Sequence, residues 1–136
     1  DDYARAIAVD SSGNVFVAGS SGNGSSNTSN ADESLDYVTI AYSNAGVPLW
    51  TNRHNGPGNR DDYAEALAVD GNNNVIVTGS SSGSDGYSDF ATVKYSGDGV
   101  PLWASASKSS LSGNRQLLPH GPGTRPVATL GVSCRS

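Results

Sequence analysis

The residues with the strongest claim to chemistry are acids set in turns. "DSSGN" (10–14) and "DGNNN" (70–74) place oxygen-bearing side chains at alternating positions, as a calcium loop does. An EF-hand loop needs about five ligand positions and a closing bidentate Glu. Here Val15 or Val75 follows at once, and no Glu is in reach. The simpler reading is a hairpin turn whose Asp accepts hydrogen bonds from nearby backbone N–H groups. Calcium is the weaker alternative, and no metal ligand is assigned. The pairs Asp1-Asp2 and Asp61-Asp62 offer the two carboxylates of glycoside hydrolysis. Neighbours on a strand point to opposite sides, so neither pair is itself that dyad. Solvated loop acids, or caps for the next strand's backbone, account for them. His54 lies in a linker-like stretch and His120 near the C-terminus, each read as a loop hydrogen-bonder. Serine is plentiful, but no Gly-x-Ser-x-Gly turn is present. "GNGSSNTSN" lacks the Lys and the following helix of a phosphate loop. It holds an Asn-x-Ser sequon at Asn27. No catalytic, cofactor-binding or metal-ligating residue follows, and the chain reads as a non-enzyme.

The elements that carry these residues occur twice. "DDYARAIAVDSSGNVFVAGSS" (1–21) matches "DDYAEALAVDGNNNVIVTGSS" (61–81) at an offset of 60 residues. "DYVTIAYSNAGVPLW" (36–50) matches "DFATVKYSGDGVPLW" (89–103) at an offset of 53. The difference falls in a Ser/Gly/Asn-rich loop, 22–35 in one copy and 82–88 in the other. A length change confined to a polar loop is how a structural repeat behaves. Each copy predicts four strands. "ARAIAV" and "AEALAV" contain good helix formers, yet they are too short for a helix and run straight into a turn. "VFVAGS" and "VIVTGS" are β-branched, and Gly19 and Gly79 predict close backbone approach. "YVTIAYS" and "FATVKYS" follow, then a Gly turn. The fourth strand opens on "PLW", with Pro where its missing donor is tolerated.

Four sequential strands make an antiparallel meander. One such sheet leaves both faces wet, so it must stack on another, as propeller blades do. A two-sheet sandwich is the alternative. The expected core is Val9, Val15, Val17, Ile40, Leu49 and Trp50, with Val69, Val75, Val77, Val93, Leu102 and Trp103 equivalent. Trp50 and Trp103 could stack sugars, but packing between blades buries more apolar area.

Composition limits the partners. Charged residues are only 15%, against about a quarter in an average protein. Ser, Asn and Gly supply the polarity, the profile of a loop-rich, all-β, extracellular domain. The net charge is −5, with all 13 acids before residue 108. Nucleic acid and anionic lipid demand a basic surface, so neither is expected as a partner. No run is long enough for membrane insertion. With no signal peptide in the sequence, any targeting segment is expected outside it. Cys134 has no cysteine to pair with. After Trp103 the pattern breaks. Residues 108–136 form an irregular basic tail without acid or aromatic side chains. A shifted reading frame, a truncated gene end or an extension covering a sheet edge would each produce it.

In their order, these elements resemble the bacterial β-propeller repeats called SBBP repeats. "AIAVDSSGNVFVAGSS", "DYVTIAYSNAGVPLW" and "HNGPGNRDDYA" carry the resemblance, as does the second copy, "ALAVDGNNNVIVTGSS" with "DFATVKYSGDGVPLW". It covers residues 1–107. It implies propellers of six to eight blades in large secreted or cell-surface bacterial proteins, with a scaffold and interaction role and no shared catalytic set. Two units fall short of a ring.

The expected fold is all-β, two four-stranded propeller-type blades at 1–55 and 56–107, then the tail. The expected function is a repeat scaffold outside the bacterial cell or on its surface, binding itself or further blades of the same fold. The alternatives are a carbohydrate-binding module using loops 22–35 and 82–88, or the propeller part of a secreted hydrolase. No cofactor is expected.

Overall fold

A computed structural model describes residues 1–22 and 34–108. The Asn27 sequon, His120, Cys134 and the tail from residue 109 onward lie outside the described residues. Eight strands are present: β1 (Asp2–Val9), β2 (Val15–Gly22), β3 (Leu35–Tyr42), β4 (Pro48–His54), β5 (Tyr63–Val69), β6 (Val75–Ser82), β7 (Ser88–Tyr95) and β8 (Pro101–Lys108). They form two four-stranded antiparallel sheets, ordered β1-β2-β3-β4 and β5-β6-β7-β8. The described residues are thus all-β, two open sheets of the kind seen in partial propeller blades.

The repeat in sequence is a repeat in backbone geometry. Register shifts at Ala4/Ala6 in the first sheet and at Ala64/Ala66 in the second. It shifts again at Ala41/Tyr42 and at Lys94/Tyr95. The first pair of irregularities explains the strand glycines. A Cβ on Gly19 would overlap the Tyr3 carbonyl oxygen, and one on Gly79 would overlap that of Tyr63. The expected close approach is therefore present in both copies. Helix propensity in β1 and β5 loses to pairing with β2 and β6, a tertiary override of a weak local preference.

The sheets stack through opposite faces. The first contributes Phe16, Ala18, Tyr37 and Ala41 to the core. The second contributes Ala64, Val75, Val77, Ala91, Val93 and Tyr95. Val75 is the counterpart of Val15, whereas Phe16 is the counterpart of Ile76. One face of the first sheet therefore meets the other face of the second, with β5 lying against β1, β2 and β3. A sandwich closed by a two-fold axis would bring equivalent faces together. This head-to-tail stacking is the relation between propeller blades, and among the described residues it leaves one face of each sheet open.

The opposite-face stacking corrects the expected core. Val75, Val77 and Val93 are buried as expected. Val15, Val17, Ile40, Trp50 and Val69 are half-buried. Val9, Leu49, Leu102 and Trp103 are exposed, Trp103 by 47%. Val9 lies on the open face of the first sheet. Trp103 lies on the open face of the second, in a strand exposed along its whole length. Equivalent positions meet different surroundings because, among the described residues, each sheet has only one neighbour.

Candidate interaction surface

Four side chains of the first sheet build the seam: Tyr37, Trp50, Asn52 and Ser20. The Tyr37 ring crosses to the second sheet, where its hydroxyl donates to the Ala91 carbonyl at 3.2 Å. Burial, with Asp62 and Glu65 nearby, pushes this phenol well above its usual range, so it stays a donor. Trp50 lies between Phe16, with centroids 6.0 Å apart, and Tyr95, at 5.8 Å. Its Nε1–H donates to the Gly97 carbonyl at 2.8 Å. The ring rests on Gly99, where a Cβ would come within 2.6 Å of it. Gly99 has a φ of 84°, which a side chain would strain. Asn52 donates from Nδ2 to the Gly99 carbonyl at 2.6 Å. Ser20 Oγ accepts from the Ala64 N–H at 3.2 Å. Trp50 thus takes the packing role expected of both tryptophans, and Trp103 does not.

The acid pair at the unit boundary divides its work. Asp62 is fully buried. Its carboxylate accepts from the Gly56 N–H at 2.6 Å and the Ser82 N–H at 3.0 Å. It caps backbone and ties the linker to the end of β6. Asp61 is exposed and accepts from the Leu35 N–H at 3.1 Å. Its other oxygen accepts from the Tyr63 hydroxyl. The capping role is thus Asp62's, and sequence reasoning had not separated it from its neighbour. His54 ends β4 rather than sitting in a loop, and its ring lies 5.7 Å from Tyr37.

The Asp turns are hydrogen-bonded turns. Asp10 accepts from the Ser12 and Asn14 N–H groups at 2.8 and 2.9 Å, and from Asn14 Nδ2 at 2.9 Å. Asp70 does the same with Asn72 and Asn74. The Lys94 ammonium also sits 2.8 Å from Asp70. Lys94 first, then Asn74, hold the Asp70 carboxyl well below its ordinary value of 3.8. A depressed carboxylate stabilises the fold above that ordinary value and loses its contribution as pH falls through the native one. Wild type should therefore lose more stability than Lys94→Met on going from neutral pH to below about pH 4. Denaturant midpoints of both at the two pH values check this; equal losses would remove Lys94 as the cause.

On the loop side, Tyr87 is 74% exposed. It is the one aromatic in the 82–88 loop, and so the side chain there that could stack on a sugar. Asp85, two residues before it, is paired with Lys108. Among the described residues there is no group of three or more His, Cys, Asp or Glu side chains placed to hold a metal. Nor is any helix there long and apolar enough to cross a membrane.

This geometry meets the comparisons with known proteins at its first strand pair. The family described as Beta-propeller repeat, SBBP, matches residues 1–25. That span covers β1, the Asp10 turn and β2, and residues 61–81 repeat it. The chain is therefore similar there to a propeller repeat, and the strands built on that stretch form a blade-like sheet. No curated protein matches the chain.

Proposed function

We infer that this chain is a non-catalytic repeat scaffold, an interaction module whose blades bind by stacking on blades of the same fold, including copies of itself. The observation that carries the reading is the seam between the sheets. It joins opposite faces, so each stacking event leaves the same two kinds of face available for the next. Exposed apolar side chains mark those faces: Ile7 and Val9 on one, Phe90 and Trp103 on the other. Large exposed apolar patches are interaction surfaces. The repeat match supports a repeat module, and the low charge with Ser/Asn/Gly-rich loops supports a place outside the cell or at the bacterial surface.

In a stacked array, stability grows with the number of interfaces. A chain in which residues 1–107 are written twice, joined by a second copy of the linker 55–60, should therefore unfold at a higher denaturant midpoint than the single pair. Its unfolding should also be steeper, because more surface is exposed in one transition. Equal midpoints and slopes would show that the blades do not stack beyond the pair, and the scaffold reading would fall.

A further inference from the structure

The two open faces of the chain are counterparts of the two covered ones. On the covered face of the second sheet, Tyr37 fills the space beside Gly79 and Ala91. Its hydroxyl lies 2.9 Å from where a Gly79 Cβ would stand. The counterparts of Gly79 and Ala91 in the first sheet are Gly19 and Val38. There the structure has a hollow of about 330 Å³, lined by Tyr3, Ala4, Val17, Gly19, Val38 and Ile40 among others. The counterpart of Tyr37 is Phe90, which is 61% exposed, against 1% for Tyr37. Trp50 and Gly99 repeat the relation. Their counterparts are Trp103, 47% exposed, and Gly46. Gly46 has the same turn geometry, a φ of 78°, and a Cβ placed on it would meet nothing within 4 Å.

We propose that a second copy of this chain docks on the open face of the first sheet, setting its Phe90 into the hollow beside Gly19 and its Trp103 over Gly46. This rests on the scaffold reading and names its partner and its surface. The internal seam is the template for the contact. Trp103 Nε1–H meets the Asn44 carbonyl, the counterpart of Gly97. Ser80, the same residue type as Ser20, accepts from the Ala4 N–H, the counterpart of Ala64. The changed pair also agrees with itself. Phe90 has lost the hydroxyl of Tyr37, and Val38 adds apolar bulk where Ala91 stands, so a polar contact becomes an apolar one. Two contacts are lost: Ser105 is too short to repeat the reach of Asn52, and the counterparts of Ser11 and Asn73, which meet across the seam, are Gly71 and Gly13. The contact between copies is therefore weaker than the internal seam and depends on concentration. It is also head-to-tail, so association continues past the dimer into a closed ring or an open stack.

Sedimentation of the full chain tests this, with two variants that each disable one face. Phe90→Asp spoils the donor face, and Val38→Asp spoils the acceptor face. Ile7→Asp, at a residue 69% exposed on that same acceptor face, is the second acceptor variant should Val38→Asp fail to fold. Wild type should grow in mass from low to high micromolar concentration, past the dimer. Each variant alone should stay monomeric. A donor-face variant mixed with an acceptor-face variant should form a one-to-one heterodimer and stop, because one good face of each remains. A wild-type chain that stays monomeric overturns the proposal. If the tandem chain is nonetheless stabilised, the scaffold reading stands and this face belongs to blades of a longer chain. Wild-type association without the heterodimer also overturns it, by placing the contact elsewhere.

Discussion

Replacing the half-buried Trp50 with Ala is expected to cost about 3 kcal/mol, the low end of the range for deleting a large core aromatic side chain. The same change at Trp103 should cost less than about 1 kcal/mol in solutions too dilute for association, as most exposed substitutions do. The two residues close the same "PLW" motif, and their environments alone differ. Trp50 sits between Phe16 and Tyr95 and donates to the Gly97 carbonyl. Aromatic pairing adds about 0.5–1.5 kcal/mol beyond the area buried. Trp50→Phe keeps most of that area but loses the donor, and should recover all but about 1–2 kcal/mol. Chemical denaturation of the three variants at one low protein concentration decides. Equal costs for Trp50→Ala and Trp103→Ala would mean that the seam is not where stability resides.

A comparable loss is expected at a residue with no apolar role. Asp62→Ala strips two N–H groups, the buried one of Gly56 and the part-buried one of Ser82, of a charged acceptor. Hydrogen bonds to charged groups contribute about 1.5–3 kcal/mol each, so a loss of about 3–5 kcal/mol is expected. Asp62→Asn should recover little, because its amide turns one donor toward another donor. Asp2, the counterpart of Asp62 in the first copy, is exposed, and Asp2→Ala should change stability by less than about 0.5 kcal/mol. Hydrogen exchange gives a second readout. In Asp62→Ala the Gly56 and Ser82 amides should exchange faster, while the β2–β3 ladder keeps its protection relative to global unfolding. Intact protection at Gly56 and Ser82 would show that another group holds the linker.

Phe90, Trp103 and Asp62 show where sequence reasoning ends. Each was visible as a member of a repeat, and none could be given its surroundings. Trp50 and Trp103 were expected to be buried alike, because their local sequences are nearly the same. The sequence presents Asp61 and Asp62 as an equivalent pair, although one faces water and the other is fully buried. The capping option was legible, since Asp favours bonding to nearby backbone. Which of the two would cap was not, because Gly56 and Ser82 reach Asp62 only after the linker folds back. The hydrogen-bonded Asp10 and Asp70 turns, by contrast, are legible in the sequence as turns. Their backbone and Asn partners lie within four residues, and only the Lys94 ammonium beside Asp70 comes from farther along the chain.

The sequence by itself determined the eight strands, their meander order, the turns between them and the doubling of the unit. These depend on short-range rules: β-branched runs, turn residues and hairpin closure, each acting over a few residues. Only the tertiary structure decided which face of each sheet is inside. Period-two alternation gives no answer when both faces are apolar. In the first sheet Phe16, Ala18 and Ala41 lie on one face, and Val15, Val17 and Ile40 on the other. The choice falls to the second sheet, which can cover only one of them. It covers the face carrying Tyr37 and Trp50, whose two donors find carbonyls across the seam, and it leaves the valine face open.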